Sequence, residues 1–288
     1  MFDPRSPYHR RMWHYESDRP LSVAQLVSLG SLDARTAALL WLLIQHHHSL
    51  IVSGPTDPTP GIGKTTTLNA LLGFLLTGCT LVYTTGMYED FDFVSEVDPA
   101  TTCVLANEVS DHLPIYMWGR VARQLLKLPK DGYAIATSCH ADTLDDVLAM
   151  LGRDLKLPDE HIRRLGIIVN IGLVGKLWPP RRRFLTVNFI RPAEYTPTDV
   201  SSQSSGITML PLATWDEDTD TFIPATEEVL QELATVLGMP MPEFCAALDR
   251  RVARIEQLSA GHGAGVRAMR EAVEDVITAE TQPQDVDG

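Results

Sequence analysis

Gly61-Ile62-Gly63-Lys64-Thr65 holds the residue types of this chain best suited to chemistry on an anion. Glycines let backbone N–H groups turn inward around a phosphate, a lysine ammonium reaches its oxygens, and a threonine hydroxyl is an oxygen ligand for Mg2+. An apolar run, Leu50-Ile51-Val52, precedes the loop, and an amphipathic pattern through Leu68, Leu71 and Leu72 follows it. The loop therefore joins a strand to a helix, and that helix's N-terminus adds roughly half a positive charge where the anion would sit. Gly54, Gly61, Ile62, Gly63, Lys64, Thr65 and Thr66 are the expected phosphate cradle.

The spacing departs from the usual G-x-x-x-x-G-K-[ST] pattern, which would put its first glycine at Pro58. Gly54 lies nine steps before Gly63 instead of five. Either Asp57 to Pro60 is a four-residue insertion in a loop that starts at Gly54, or Pro58 occupies the first glycine's place. The bland alternative is a proline-stiffened turn ahead of an ordinary helix.

Three further polar groups follow apolar, β-branched runs in order. Thr80 to Thr85 leads into Glu89, Asp90 and Asp92; Thr101 to Ala106 delivers Asn107, Glu108 and Asp111; Tyr133 to Thr137 ends in His140 and Asp142. Residues just past the C-terminal ends of parallel strands share the ligand edge of an open α/β sheet. A glutamate there can hold Mg2+ or orient an attacking water, so Glu108 joins Thr65 as a candidate metal residue. A lone exposed acid or histidine is more often structural, and it is the shared edge that raises Glu89, Glu108 and His140 above that reading.

The order G-P-T…G-I-G-K-T-T-T-L, Y-E-D, A-N-E-V-S-D, T-S-C-H-A-D-T resembles the type II/IV secretion ATPase family, which includes the motors of type IV pili. The likeness covers roughly residues 21–190. It implies an α/β fold of the P-loop NTPase (RecA-like) kind, with a mostly parallel sheet flanked by helices. By the same resemblance, the chain would bind ATP and Mg2+ and hydrolyse ATP with Lys64, Glu108, His140 and Glu89 as catalytic residues. Lys64 would hold phosphate, Glu89 and Asp90 would form an acidic box, Glu108 would act on water, and His140 would sense the γ-phosphate. A homo-oligomeric, hexameric ring acting on secretion or pilus machinery proteins at the membrane is implied too. Asn107 stands where the family has glycine and Ser110 where it has arginine, and fewer than fifty residues precede the first core strand. Arg120 and Arg123 are the candidates for neutralising phosphate. A nucleotide-binding regulator or degenerate ATPase is the second reading; a nucleotide kinase is disfavoured, because no arginine-rich lid follows the helix that leaves the phosphate loop.

Composition bounds these readings. A hydrophobic content of 44% over 288 residues suffices for a large core. The net charge of −13 is concentrated late, since residues 207–247 carry eight acids and no Lys or Arg, and the first 206 residues sum to −2. That balance is not the footprint of a nucleic-acid binder. Cys79, Cys103, Cys139 and Cys245 lack metal or C-x-x-C spacing, which fits free thiols in a cytoplasmic protein. The longest apolar run, Ala37 to Ile44, is too short to span a membrane, so any membrane association runs through partners.

The expected layout is a disordered N-terminus over 1–20, an ATPase core over 21–191, a linker over 192–206, an acidic α-rich module over 207–278, and a disordered tail over 279–288. Ser22 and Ser31/Asp33 should cap two helices, the second apolar all round and hence buried. A further helix is expected over 113–128. His46-His47-His48 end the second helix; successive residues point about 100° apart, so a polar helix terminus is favoured over a metal site. Arg181-Arg182-Arg183 read as solvated charges at a hairpin tip or a subunit contact.

Overall fold

The computed structural model describes residues 20–55, 61–175, 180–195 and 206–281. The expectations for residues 1–19, for Asp57 to Pro60, for 196–205 and for 282–288 lie outside them. The elements run α1 (Val23–Ser28), α2 (Ala34–Gln45), β1 (Leu50–Gly54), α3 (Lys64–Leu71), β2 (Thr80–Tyr83), β3 (Thr102–Val109), α4 (Gly119–Leu125) and β4 (Ala134–His140). Then come α5 (Leu144–Ala149), α6 (Asp159–Ile162), β5 (Ile167–Val174), β6 (Arg181–Ile190), β7 (Met209–Asp216), β8 (Thr221–Pro224), α7 (Glu227–Val236), α8 (Met241–Ser259) and α9 (Val266–Thr281).

The strands form one sheet in the order β2-β3-β4-β1-β5-β6-β7-β8. β2, β3, β4, β1 and β5 pair in parallel, and β6, β7 and β8 continue the sheet antiparallel. The continuous apolar runs predicted this: a parallel strand is covered on both faces, so both alternating sets of side chains are buried. Leu50 and Val52, Cys103 and Leu105, Ala134 and Ala136, Ile167 and Val169 enter one core layer. Ile51, Val104, Ile135 and Ile168 enter the other. Each large apolar side chain so buried contributes roughly 1.5–3 kcal/mol.

α1 begins with a Ser22–Gln25 capping box, and α2 with an Asp33 carboxylate that accepts the Thr36 N–H at 2.7 Å. α2 is buried from Thr36 to Ile44, with Trp41 stacked on Phe74 at a centroid distance of 5.3 Å.

Three expectations are corrected here. The helix expected over 113–128 is confined to Gly119–Leu125, because Met117 is drawn into a backbone bridge with the end of β3. Its N–H donates to Glu108 O and its carbonyl accepts from Ser110 N–H, both at 3.0 Å, which straightens the chain ahead of the helix. The segment expected as a separate α-rich module over 207–278 supplies β7 and β8 to the same sheet, and α8 covers the outward face of α2 in the same core layer. A helix apolar all round needs cover on every side, and α8 provides what the sheet cannot. The tail expected from 279 is helical through Thr281.

Among the described residues no helix is long and apolar enough to cross a membrane.

Candidate functional site

Parallel register places the candidate residues. β1 lies between β4 and β5, and Gly54 at its end is the partner of His140. β3 lies on the far side of β4, where Ala106 pairs with Thr137 and Val109 with Cys139. Three steps on β3 thus match two on β4; this bulge falls at Asn107-Glu108 and re-aims the side chains there. The Ser138 hydroxyl donates to Asn107 O at 2.9 Å and ties the bulge to β4. On the other flank the buried Asn170 amide donates to Ser53 Oγ and Asp142 O, both at 3.0 Å, so one β5 side chain holds the ends of β1 and β4 together.

The Lys64 ammonium, at the first residue of α3, is 2.8 Å from His140 Nδ1 and 3.5 Å from Gly54 O. The opposite ring nitrogen, Nε2, meets Glu108 Oε1. An ammonium has only donors, so Nδ1 accepts, which leaves the hydrogen of a neutral ring on Nε2, the nitrogen that faces the carboxylate. Lys64, His140 and Glu108 therefore form one continuous polar chain across three elements. Lys64 is 9% exposed. Its burial pulls the ammonium pKa below the usual lysine range, while the nearby Glu108 carboxylate acts in the opposite sense. Burial also pushes the Cys139 thiol up to about 12, which keeps it uncharged behind the site.

Gly63 caps α3 in the left-handed region at φ 105°, and Gly61 has φ 98°. Both values favour glycine, so these two positions supply the backbone reversal the loop needs. Thr65 and Thr66 are half-buried on the first turn of α3, and Ile62 is buried.

Glu89 is not joined to this chain by any described contact. Its carboxylate accepts the Thr85 N–H at 2.7 Å and the Phe91 N–H at 3.0 Å, closing its own loop, where Phe91 takes φ 63°. The Asp90 carboxylate likewise accepts the Asp92 N–H at 3.2 Å. Arg120 is exposed and Arg123 half-buried on α4.

Two contributions escaped the sequence. The His112 ring lies tilted at 44° against His140, centroids 4.5 Å apart, and its Nδ1 lies 2.8 Å from Ser110 Oγ. Both line an open cavity of about 510 Å3 beside His140 with Trp118, Asp146 and Arg153. The second is Arg182, whose Nε donates to Ile62 O at 3.1 Å and whose Nη2 donates to Gly61 O at 2.8 Å. Arg181 pairs with Val174 at the end of the β5–β6 hairpin, and Arg181 and Arg182 are exposed there as expected, but all three arginines are engaged by the protein. Arg183 is 5% exposed and, like Arg181, pairs with Asp220. Hydrogen bonds from Arg183 and Trp215 hold the Asp220 carboxyl well below its usual range.

The adjacent histidines lie past the end of α2 at Gln45, and they diverge as the chain turns through His47 at φ 65°. His46 Nδ1 contacts Leu42 O at 2.8 Å, His47 Nε2 contacts Pro99 O at 3.0 Å, and His48 meets Phe189 edge-on at 4.9 Å.

No protein-family model matches the chain. Over 59 residues it is 44% identical to an uncharacterized protein of Methanocaldococcus jannaschii, MJ0900, a match that spans 20% of this chain and 10% of that protein. A similarity over a tenth of its partner's length brings no activity with it.

Proposed function

We propose that this chain is a P-loop ATPase of the secretion-motor kind, binding ATP and hydrolysing it with Mg2+. The observation that carries the reading is the Lys64–His140–Glu108 chain, set at the start of one helix and the ends of two parallel strands. Such an edge, with a helix N-terminus facing it, suits a polyphosphate. Phosphoryl transfer to water asks the protein for position and charge, not covalent chemistry. Loop N–H groups and Lys64 bind the phosphates, and the Lys64 ammonium exchanges His140 Nδ1 for phosphate oxygen. His140 Nε2 keeps the Glu108 carboxylate aimed, and that carboxylate orients the attacking water.

The donors at this sheet edge fit Mg2+: a Thr65 hydroxyl and a Glu108 carboxylate are the hard oxygens this ion takes beside phosphates and water. When bound, the ion would neutralise charge on the phosphates. Ring assembly, and coupling to secretion or pilus machinery at the membrane, belong to the same proposal.

A second reading, a nucleotide-binding regulator with little turnover, is favoured by the same contact, since Lys64 and Glu108 are both engaged by His140. Steady-state ATP hydrolysis against protein concentration separates the two. Turnover that rises with concentration and vanishes in Lys64→Ala and Glu108→Gln supports the motor. Lys64-dependent binding without turnover at any concentration supports the regulator.

A further inference from the structure

The middle residue of the Arg181-Arg182-Arg183 run does something its neighbours do not. Arg181 and Arg183 both pair with Asp220 in the β7–β8 turn, and Arg183 Nη1 also donates to Arg182 O at 3.0 Å. This bracing leaves the Arg182 side chain extended along Gly63, where a Cβ would lie 3.3 Å from Arg182 Cδ. Its fork spans two consecutive carbonyls, Gly61 O and Ile62 O.

A peptide unit is planar and trans, so its C=O and N–H point in opposite directions. The Gly61 carbonyl shares its plane with the Ile62 N–H, and the Ile62 carbonyl with the Gly63 N–H. With both oxygens drawn onto Arg182, both N–H groups point away from that guanidinium. The positive φ values at Gly61 and Gly63 make this reversal accessible. Peptides beside two glycines flip readily, and a flipped loop would turn carbonyl oxygens toward an anion.

We propose that Arg182 is a positioning residue for the nucleotide: it fixes the Gly61 and Ile62 carbonyls outward, so that the Ile62 and Gly63 N–H groups face the phosphates. The proposal rests on the nucleotide reading of this site. Through Asp220 it makes phosphate affinity depend on the β7–β8 turn.

The test compares wild type, Arg182→Ala and Arg182→Lys by Mg-ATP titration, by steady-state kinetics and by amide hydrogen exchange at saturating Mg-ATP. In Arg182→Ala, affinity should fall between tenfold and a hundredfold, with kcat at saturation within about threefold of wild type. Exchange at Ile62 and Gly63, which nucleotide slows in wild type, should be at least tenfold faster in nucleotide-saturated Arg182→Ala. Arg182→Lys keeps the charge for folding but not the planar fork, and should recover affinity only in part at an unchanged melting temperature. Wild-type binding with unaltered affinity and exchange in Arg182→Ala overturns the proposal alone. Failure of wild type to bind Mg-ATP removes the nucleotide reading, and this proposal with it.

Discussion

Gly54 and His140 face one another as register partners across β1 and β4, and at Gly54 there is no room for a side chain. A Cβ there would lie 2.5 Å from Ile62 Cδ1 and 2.6 Å from the backbone oxygen of Ile171. The isoleucine tip can rotate; the β5 carbonyl is held in its ladder. Gly54→Ala should therefore push the loop entry away from β5, at a cost of about 1–3 kcal/mol. Urea unfolding will read the loss, and Mg-ATP titration should show affinity reduced at least tenfold, because the Gly54 carbonyl also faces the Lys64 ammonium.

The polar chain predicts a division of labour among its members. Lys64→Ala should abolish nucleotide binding. Glu108→Gln keeps the shape of the side chain but not its charge, so it should bind ATP normally and lose turnover by a factor of about 10²–10⁴. His140→Ala should lower kcat more than it raises KM, since it frees Lys64 while leaving Glu108 unaimed. Equal loss of binding in all three variants would contradict this assignment.

His48 gives the fold an acid-side limit. Burial first, then the neighbouring His46 and His47, lower its pKa from 6.5 to about 4. The folded state thus holds the ring neutral while the unfolded chain takes up a proton as pH falls through 6.5. Stability from this residue is complete above 6.5 and is lost progressively down to about pH 4. The difference corresponds to at most about 3 kcal/mol, and to less for a ring only partly enclosed. Denaturant midpoints of wild type should fall over that window, and those of His48→Gln should be flatter.

Arg251 predicts an asymmetry. It is 1% exposed, its Nη1 and Nη2 donate to the two Glu280 oxygens at 2.7 and 2.8 Å, and its guanidinium lies 5.3 Å from the Trp41 ring centre. Arg251→Ala should cost about 2–5 kcal/mol, because it removes a buried side chain and opens a gap over Trp41, while Glu280 keeps Arg250 as a partner. Arg251→Met combined with Glu280→Gln should recover most of that by calorimetry, since apolar cover replaces an ion pair whose desolvation was already costly.

Much of this arrangement was legible in the residues. The apolar runs at Leu50, Cys103, Ile135 and Ile167 announced buried strands, and their order put Lys64, Glu108 and His140 at one edge. Ser22 and Asp33 announced their helices. What stayed hidden depends on partners far along the chain. Nothing local distinguishes Arg182 from Arg181 and Arg183; the difference arises when Asp220, 37 positions past Arg183, takes the outer two. Glu89 read as a site residue because it follows a strand, but its nearest donors are the amides of its own turn. His112 carries no motif in the sequence, and its approach to His140 comes only with the β3 bulge and the Met117 bridge. The 207–278 segment looked separate because its charge differs from the rest, whereas sheet pairing follows backbone register and apolar cover, which net charge does not report.

The Ser22 hydroxyl donates to Ala264 O, joining residues 242 positions apart, and α2 lies under α8 in the same layer. On a ribosome adding about 5–20 residues per second, the first helices therefore wait on the order of tens of seconds for the segment that covers them. Their apolar surface, with Trp41 at its centre, stays open through most of synthesis, and pairings of this range are slow to close even in the finished chain. The nascent protein should lean on chaperones until α8 emerges, and truncation ahead of Met241 should yield insoluble material even though every residue of the Lys64–His140–Glu108 chain is already present.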